Sequence, residues 1–178
     1  MSEQRYFFIH IQKTAGSSVR KHLHELFDWQ SIYPPKDLDG GMPAFLTAYV
    51  DGQALLDLST DTLEKYALFT GHLPFSTSQI LKLDKPPETF TVLRDPVSRT
   101  ISVLKQKKRK NPKFSTWSLE RIYEDPDTFR GQILDHQTKV FAIPPELHYQ
   151  SAFVHYPVDY KTLKVAKRNL RRVSVVGL

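Results

Sequence analysis

The chain has 178 residues, 40% of them hydrophobic and 25% charged, the proportions of one globular domain that buries roughly two thirds of its unfolded surface, so fibrous and disordered readings are excluded. It contains no cysteine, which rules out thiol nucleophiles, thiolate metal sites and a disulfide framework, and allows a reducing compartment. The net charge of +6 is concentrated: residues 105–113 and 161–172 each carry six cations and no acid, so the remainder is net negative, a distribution that suits an anionic partner.

In chain order, four short apolar runs predict buried strands at residues 6–11, 67–70, 89–93 and 173–176. They are continuous rather than alternating, as in a parallel sheet covered on both faces. Between the first two, Val19, Leu23, Leu26 and Phe27 form one apolar stripe of a helix starting near Ser17. Residues 33–43 read as a loop from their proline and glycine content. After the third run, Asp95 is an N-cap with Pro96 at the first helical position, and Val97, Ile101 and Leu104 predict the buried stripe of that helix. Residues 114–145 read as helical and irregular, a region suited to an acceptor site, with breaks at Asn111-Pro112 and Pro144-Pro145. Leu163, Ala166 and Leu170 mark a last helix before the last strand, which has nothing after it to cover the sheet edge. The order of strands and helices predicts one open α/β domain over residues 1–178, and no apolar run is long enough to span a bilayer.

Two segments carry chemistry. His10-Ile-Gln-Lys13-Thr14-Ala15-Gly16-Ser17-Ser18 runs from the first strand into a helix. A small-residue turn there presents backbone N–H groups to an anion, assisted by the helix N-terminus. An ordinary strand-to-helix turn is the alternative. The segment is not a Walker A sequence, because Lys13 precedes the glycine. The second segment, Leu93-Arg94-Asp95-Pro96-Val97-Ser98-Arg99-Thr100-Ile101-Ser102, also runs from strand end into helix. There Arg94 reaches the crevice where open α/β sheets bind ligands, and an arginine with a serine hydroxyl suits a second phosphate. The alternative for Arg94 is a salt bridge to Asp95 or Glu88.

The pair resembles the 5′-phosphosulfate loop and the 3′-phosphate motif of sulfotransferases that use 3′-phosphoadenosine 5′-phosphosulfate (PAPS), most closely the heparan sulfate 2-O- and 6-O-sulfotransferase branch. HIQKTAGSS is similar to that branch's H-x-x-K-T-G/A-[GS]-[ST]-[ST], and LRDPVSRTIS to its L-R-D-P-x-x-R-x-x-S. Gly71-His72-Leu73-Pro74-Phe75, Gln137-Thr138-Lys139, and residues 166–170 through Val176-Gly177-Leu178 also look like it. The resemblance implies a P-loop NTPase-like open parallel sheet, PAPS as donor, adenosine 3′,5′-bisphosphate (PAP) as product, and no metal. It assigns Lys13 to the bridging oxygen and the departing phosphate, Thr14, Ala15, Gly16, Ser17 and Ser18 to the 5′-phosphate through backbone N–H and hydroxyl groups, and Arg94 with Ser102 to the 3′-phosphate. The acceptor is expected to bear a hydroxyl, with an anionic glycan as one class; no nucleic acid and no membrane span are expected. Relatives continue past the Gly-Leu, so a C-terminal segment is expected to be missing here. Animal members carry a Golgi anchor, whereas Met1 lies five residues before the first strand, which predicts a bacterial-type cytoplasmic enzyme.

The seven histidines show no metal-ligand spacing. His72, just past the second strand, is the expected general base, because an imidazole with a pKa near ~6.5 suits proton removal at neutral pH. His10 reads as structural, and Glu25 and His136 follow as candidate bases. Two other classes remain open: a P-loop kinase or NTPase using magnesium and ATP, and a non-catalytic basic module that binds a polyanion through residues 105–113.

Overall fold

The computed structural model describes residues 4–35, 52–147 and 155–178, so most of the expected loop at 33–43 lies outside the described residues. Apolar runs pair into one parallel sheet of five strands: β1 (Tyr6–Ile9), β2 (Ile32–Tyr33), β3 (Leu68–Gly71), β4 (Glu88–Val92) and β5 (Val175–Gly177). Their order is β2-β3-β1-β4-β5, with Phe8 of β1 level with Thr70 of β3 and Phe90 of β4. Four of these match the predicted runs within two residues. The two-residue β2 is too short to leave a periodic signal. β1 and β3 are buried, but β5 is an exposed edge with Val175 and Val176 open to solvent.

The principal helices are α1 (Gly16–Leu26), α2 (Phe75–Ile80), α3 (Pro96–Lys110), α4 (His136–Ala142) and α5 (Tyr160–Leu170). On one sheet face, Val19, Leu23 and Phe27 pack against Phe8, Ile32 and Leu68. On the other, Phe75 of α2, Val140 and Phe141 of α4 and Ala166 of α5 join Phe7, Ile9 and Phe69. Complete burial of a side chain such as Phe7 or Phe69 is worth roughly 1.5–3 kcal/mol, so these two layers hold the sheet between helices. Among the described residues, no helix is long and apolar enough to cross a membrane.

Two predicted stripes are corrected. Leu26 is 77% exposed, and the apolar contacts of α1 and its C-cap come from Val19, Leu23 and Phe27. In α3, Asp95 caps the Ser98 N–H at 2.8 Å with Pro96 in the first turn, as expected, yet Val97 and Ile101 are 67% and 43% exposed. The buried face of α3 is Arg99, Val103 and Leu104, because the Arg99 guanidinium, rather than an apolar side chain, fills the space beneath the first turn.

The chain leaves β1 through α1 towards β2 on one edge, and leaves β4 through α3 and α4 towards β5 on the other. The direction of winding therefore reverses between the adjacent strands β1 and β4. The carboxyl ends of such a pair open the crevice in which doubly wound sheets bind ligands. Both chemistry-bearing segments begin at those two ends.

Candidate active site

The loop after β1 is strained and supported from below. Lys13 and Ala15 both hold left-handed backbone, with φ of 68° and 65°, which costs non-glycine residues of order 1–3 kcal/mol each and persists only where surroundings enforce it. Gly16 is required for a different reason: a β-carbon there would stand 1.8 Å from Nε2 of the buried His10. His10 thus sits directly beneath the start of α1, stacked on Phe8 at 5.3 Å. The N-terminus of α1 has no side-chain cap and no acid in its first turn, whereas α3 and α5 are capped by Asp95 and Asp159. An uncapped N-terminus keeps its amide donors and its partial positive charge for an oxyanion. Thr14 is buried and its hydroxyl donates to the Ile11 carbonyl at 2.9 Å. That corrects the expected hydroxyl contact to a phosphate, since the one hydroxyl proton is already used and only the Thr14 N–H remains to donate.

Two arginines from the start of α3 hold the loop in this shape. Arg94 Nη1 donates to the Lys13 carbonyl at 3.2 Å, and Arg99 Nε donates to the Gln12 carbonyl at 2.9 Å. Within a trans peptide the carbonyl and the following N–H point in opposite directions. Pulling back the Gln12 and Lys13 carbonyls therefore turns the N–H groups of Lys13 and Thr14 the other way. Among the described residues Arg94 makes neither of the alternative salt bridges, to Asp95 or to Glu88; Asp95 caps the Ser98 N–H, which holds its carboxyl below the usual carboxylate range. Arg94 is exposed. Its backbone is gripped by Gln137, whose Oε1 accepts from the Arg94 N–H at 3.0 Å and whose Nε2 donates to the Arg94 carbonyl at 2.9 Å. Ser98 and Ser102 lie one turn apart on α3, Ser98 exposed and Ser102 half-buried; Ser18 is exposed in the first turn of α1.

Arg99 reaches further. Its Nη1 donates to the Gln132 carbonyl at 2.8 Å, while Nη2 is buried with no hydrogen-bond partner among the described residues, and burial brings its pKa down to about 10. Gln132 belongs to a wide turn, Phe129–Ile133, closed by an N–H of Leu134 on the Phe129 carbonyl at 2.8 Å. Such wide turns leave carbonyls to be satisfied from outside. Lys139 Nζ donates to Arg130 at 2.9 Å and the His136 ring meets Gly131 at 3.1 Å. One arginine thereby ties the strained loop to the irregular segment that precedes α4. Burial, and next the positive charges of Arg109, Lys110 and Arg94, push the Lys13 ammonium below its ordinary value. Cations from both ends of α3 therefore act on Lys13.

His72 stands just past β3 with its ring 4.3 Å from that of His10. Its Nδ1 lies 2.8 Å from the His10 carbonyl. A carbonyl only accepts, so Nδ1 carries the hydrogen and Nε2 is the basic nitrogen. The expected value near 6.5 is corrected: burial, opposed by that hydrogen bond and aided by Arg20 and Arg99, lowers the pKa to about 4. His10 falls to about 2 by burial, with His72 and Arg20 adding to the effect, and His136 falls well below its ordinary value for the same first reason. Glu25 pairs with His22 at 3.2 Å on the exposed end of α1, about 13 Å along the axis from Gly16, which removes it from this edge. Among the described residues, no cluster of histidine and carboxylate side chains could hold a metal ion. The sequence marks Arg94, Lys13 and His72; it carries Gln137 and Arg99 within segments of the resemblance, Gln137-Thr138-Lys139 and LRDPVSRTIS, but their roles as clamps are not legible in it.

Fold and site together define an open parallel α/β protein with a strained, uncapped strand-to-helix loop at the point where its winding reverses. No family model matches the chain, and no curated protein matches it either.

Proposed function

We propose that this chain transfers a sulfuryl group from PAPS to a hydroxyl acceptor. The observation that carries the reading is the adjacency of its two motif-bearing loops: Arg94, after β4, donates to the carbonyl of Lys13, after β1. A ligand with two separated phosphates suits such a crevice, one phosphate on the loop and first turn of α1, the other on the exposed guanidinium of Arg94 and on Ser102. When bound, the donor supplies an activated sulfuryl group on a phosphate leaving group. Lys13 then neutralises the charge that develops on the bridging oxygen as the sulfur–oxygen bond breaks, an electrostatic role realised mainly in the transition state. The N–H groups of residues 13–17 and the Ser18 hydroxyl hold the 5′-phosphate, the Ser18 N–H being already donated to the Ala15 carbonyl at 2.9 Å. Nε2 of His72 takes the proton of the acceptor hydroxyl while its oxygen bonds to sulfur, so charge and atoms balance without a metal. The cationic far end of α3 suits an anionic glycan as acceptor, and the absence of cysteine agrees with a cytoplasmic setting.

The test is ligand-dependent thermal unfolding of the whole chain. A ligand at ~100 Kd adds about 2.7 kcal/mol, so PAP without magnesium is expected to raise Tm clearly, and ATP much less. A larger shift with magnesium and ATP than with PAP overturns the sulfotransferase reading in favour of a phosphoryl-transfer enzyme.

A further inference from the structure

Past the end of β4 the backbone of Arg94 has left the sheet: the Leu93 N–H bonds to Gly177 at 2.9 Å, and Arg94 is the next residue. Its N–H and carbonyl nevertheless both bond to one side chain, the carboxamide of Gln137. Two roughly antiparallel bonds from a single planar group fix both the position and the rotation of that peptide, as a neighbouring strand would. Only a carboxamide carries a donor and an acceptor in this arrangement; a carboxylate lacks the donor, and asparagine is one methylene shorter. Gln137 is itself held, since it sits in the first turn of α4 between His136, bound to Gly131, and Lys139, bound to Arg130.

We infer that Gln137 is a positioning residue for Arg94, setting where the Arg94 guanidinium stands against the loop and so determining selectivity for a ligand that carries a second phosphate. The inference rests on the proposed function in one respect, that Arg94 meets the 3′-phosphate. A side chain as long as arginine loses much rotamer freedom on engaging a phosphate, and a fixed backbone lessens the part of that cost that comes from the main chain. Gln137 touches no ligand in this scheme. Its loss acts only through Arg94.

The experiment measures calorimetric affinities of PAP and of adenosine 5′-monophosphate, which lacks the 3′-phosphate, for the wild-type chain, Gln137→Ala, Gln137→Glu, Arg94→Ala and the double variant Arg94→Ala/Gln137→Ala. Thermal unfolding checks each fold. The wild type is expected to prefer PAP, and Arg94→Ala to remove the preference. Gln137→Ala is expected to reduce it about tenfold, with a smaller loss of monophosphate affinity that follows from the Arg94 bond to the Lys13 carbonyl, and to add nothing once Arg94 is gone. Gln137→Glu, nearly isosteric and able to fold where a truncation fails, is expected to lose the preference likewise, because its carboxylate confronts the Arg94 carbonyl. An unchanged preference in both Gln137 variants, an equal loss for both ligands, or additive loss in the double variant overturns the inference. A wild type without preference for PAP, or a preference that survives Arg94→Ala, overturns it by another route, by removing the functional reading on which it stands.

Discussion

The guanidinium of Arg94 donates to the carbonyl of Lys13 across 81 residues of sequence. This bond joins the two ends of adjacent parallel strands and turns a backbone carbonyl away from the space into which the following N–H points. It makes Arg94 a part of the loop's shape as well as a charge at its rim.

The two residues are expected to fail in different ways. Lys13→Ala is expected to lower turnover at saturating donor by about 10²–10³-fold, with a smaller change in donor affinity, because its contact strengthens as the bridging bond breaks. Arg94→Ala is expected to weaken donor binding by roughly 10- to 100-fold, the value of one or two charge-assisted hydrogen bonds, with turnover affected less. Steady-state kinetics with direct donor titration separates the cases. Intact turnover in Lys13→Ala refutes the role given to that lysine.

For the base, the prediction concerns the acid limb of the pH–rate profile. A base works only when unprotonated, so activity is lost as pH falls through its pKa, and the value of about 4 for His72 places that limb well below the ordinary histidine range. His72→Ala is expected to keep donor affinity, lose about 10²-fold or more in turnover, and lose this limb. If the limb persists in the variant, the proton goes to another group, and His136 is the next to change.

Gly16 provides a test of the support beneath the loop. Gly16→Ala is expected to destabilise the fold by about 1–3 kcal/mol, because the new methyl meets the His10 ring. In a His10→Ala background the obstacle is gone, and the same substitution is expected to be neutral or to stabilise by up to about 1 kcal/mol through helix propensity. Chemical denaturation of the four chains closes this cycle. Equal effects of Gly16→Ala in both backgrounds refute the contact as the cause.

Stability is expected to fall with acid before the carboxylates titrate. His10, His72 and His136 all have folded-state pKa values below the unfolded 6.5, so the unfolded chain binds protons that the native one refuses. Their contribution is fully present above about pH 6.5 and is lost as pH falls below it, by up to about 1.4 kcal/mol per pH unit for each histidine. For His72 the loss levels off near pH 4, and for His10 it continues lower. Urea unfolding between pH 7.5 and 4.5 measures the slope; a flat profile refutes the neutral, buried state of these rings.

Sequence by itself determined what is decided within a few residues of chain. Continuous apolar runs declared the parallel strands, Asp95 and Pro96 declared the start of α3, and the Leu163-Ala166-Leu170 spacing declared α5, because caps, proline and helical periodicity act locally. The same locality exposed the small-residue loop at Lys13–Ser18. Tertiary structure decided the rest. Hydrophobicity alone placed Val97 and Ile101 inward, but a guanidinium with carbonyls to satisfy at Gln12 and Gln132 claimed the buried face, and those carbonyls come from distant parts of the chain. The two-residue strand β2 exists because β3 offers it a ladder at Leu68 and Phe69, not because Ile32 and Tyr33 form a pattern of their own. The lowered basicity of His72 and the grip of Gln137 on Arg94 likewise depend on burial and on partners 62 and 43 residues away, and no local spacing of residue types encodes either.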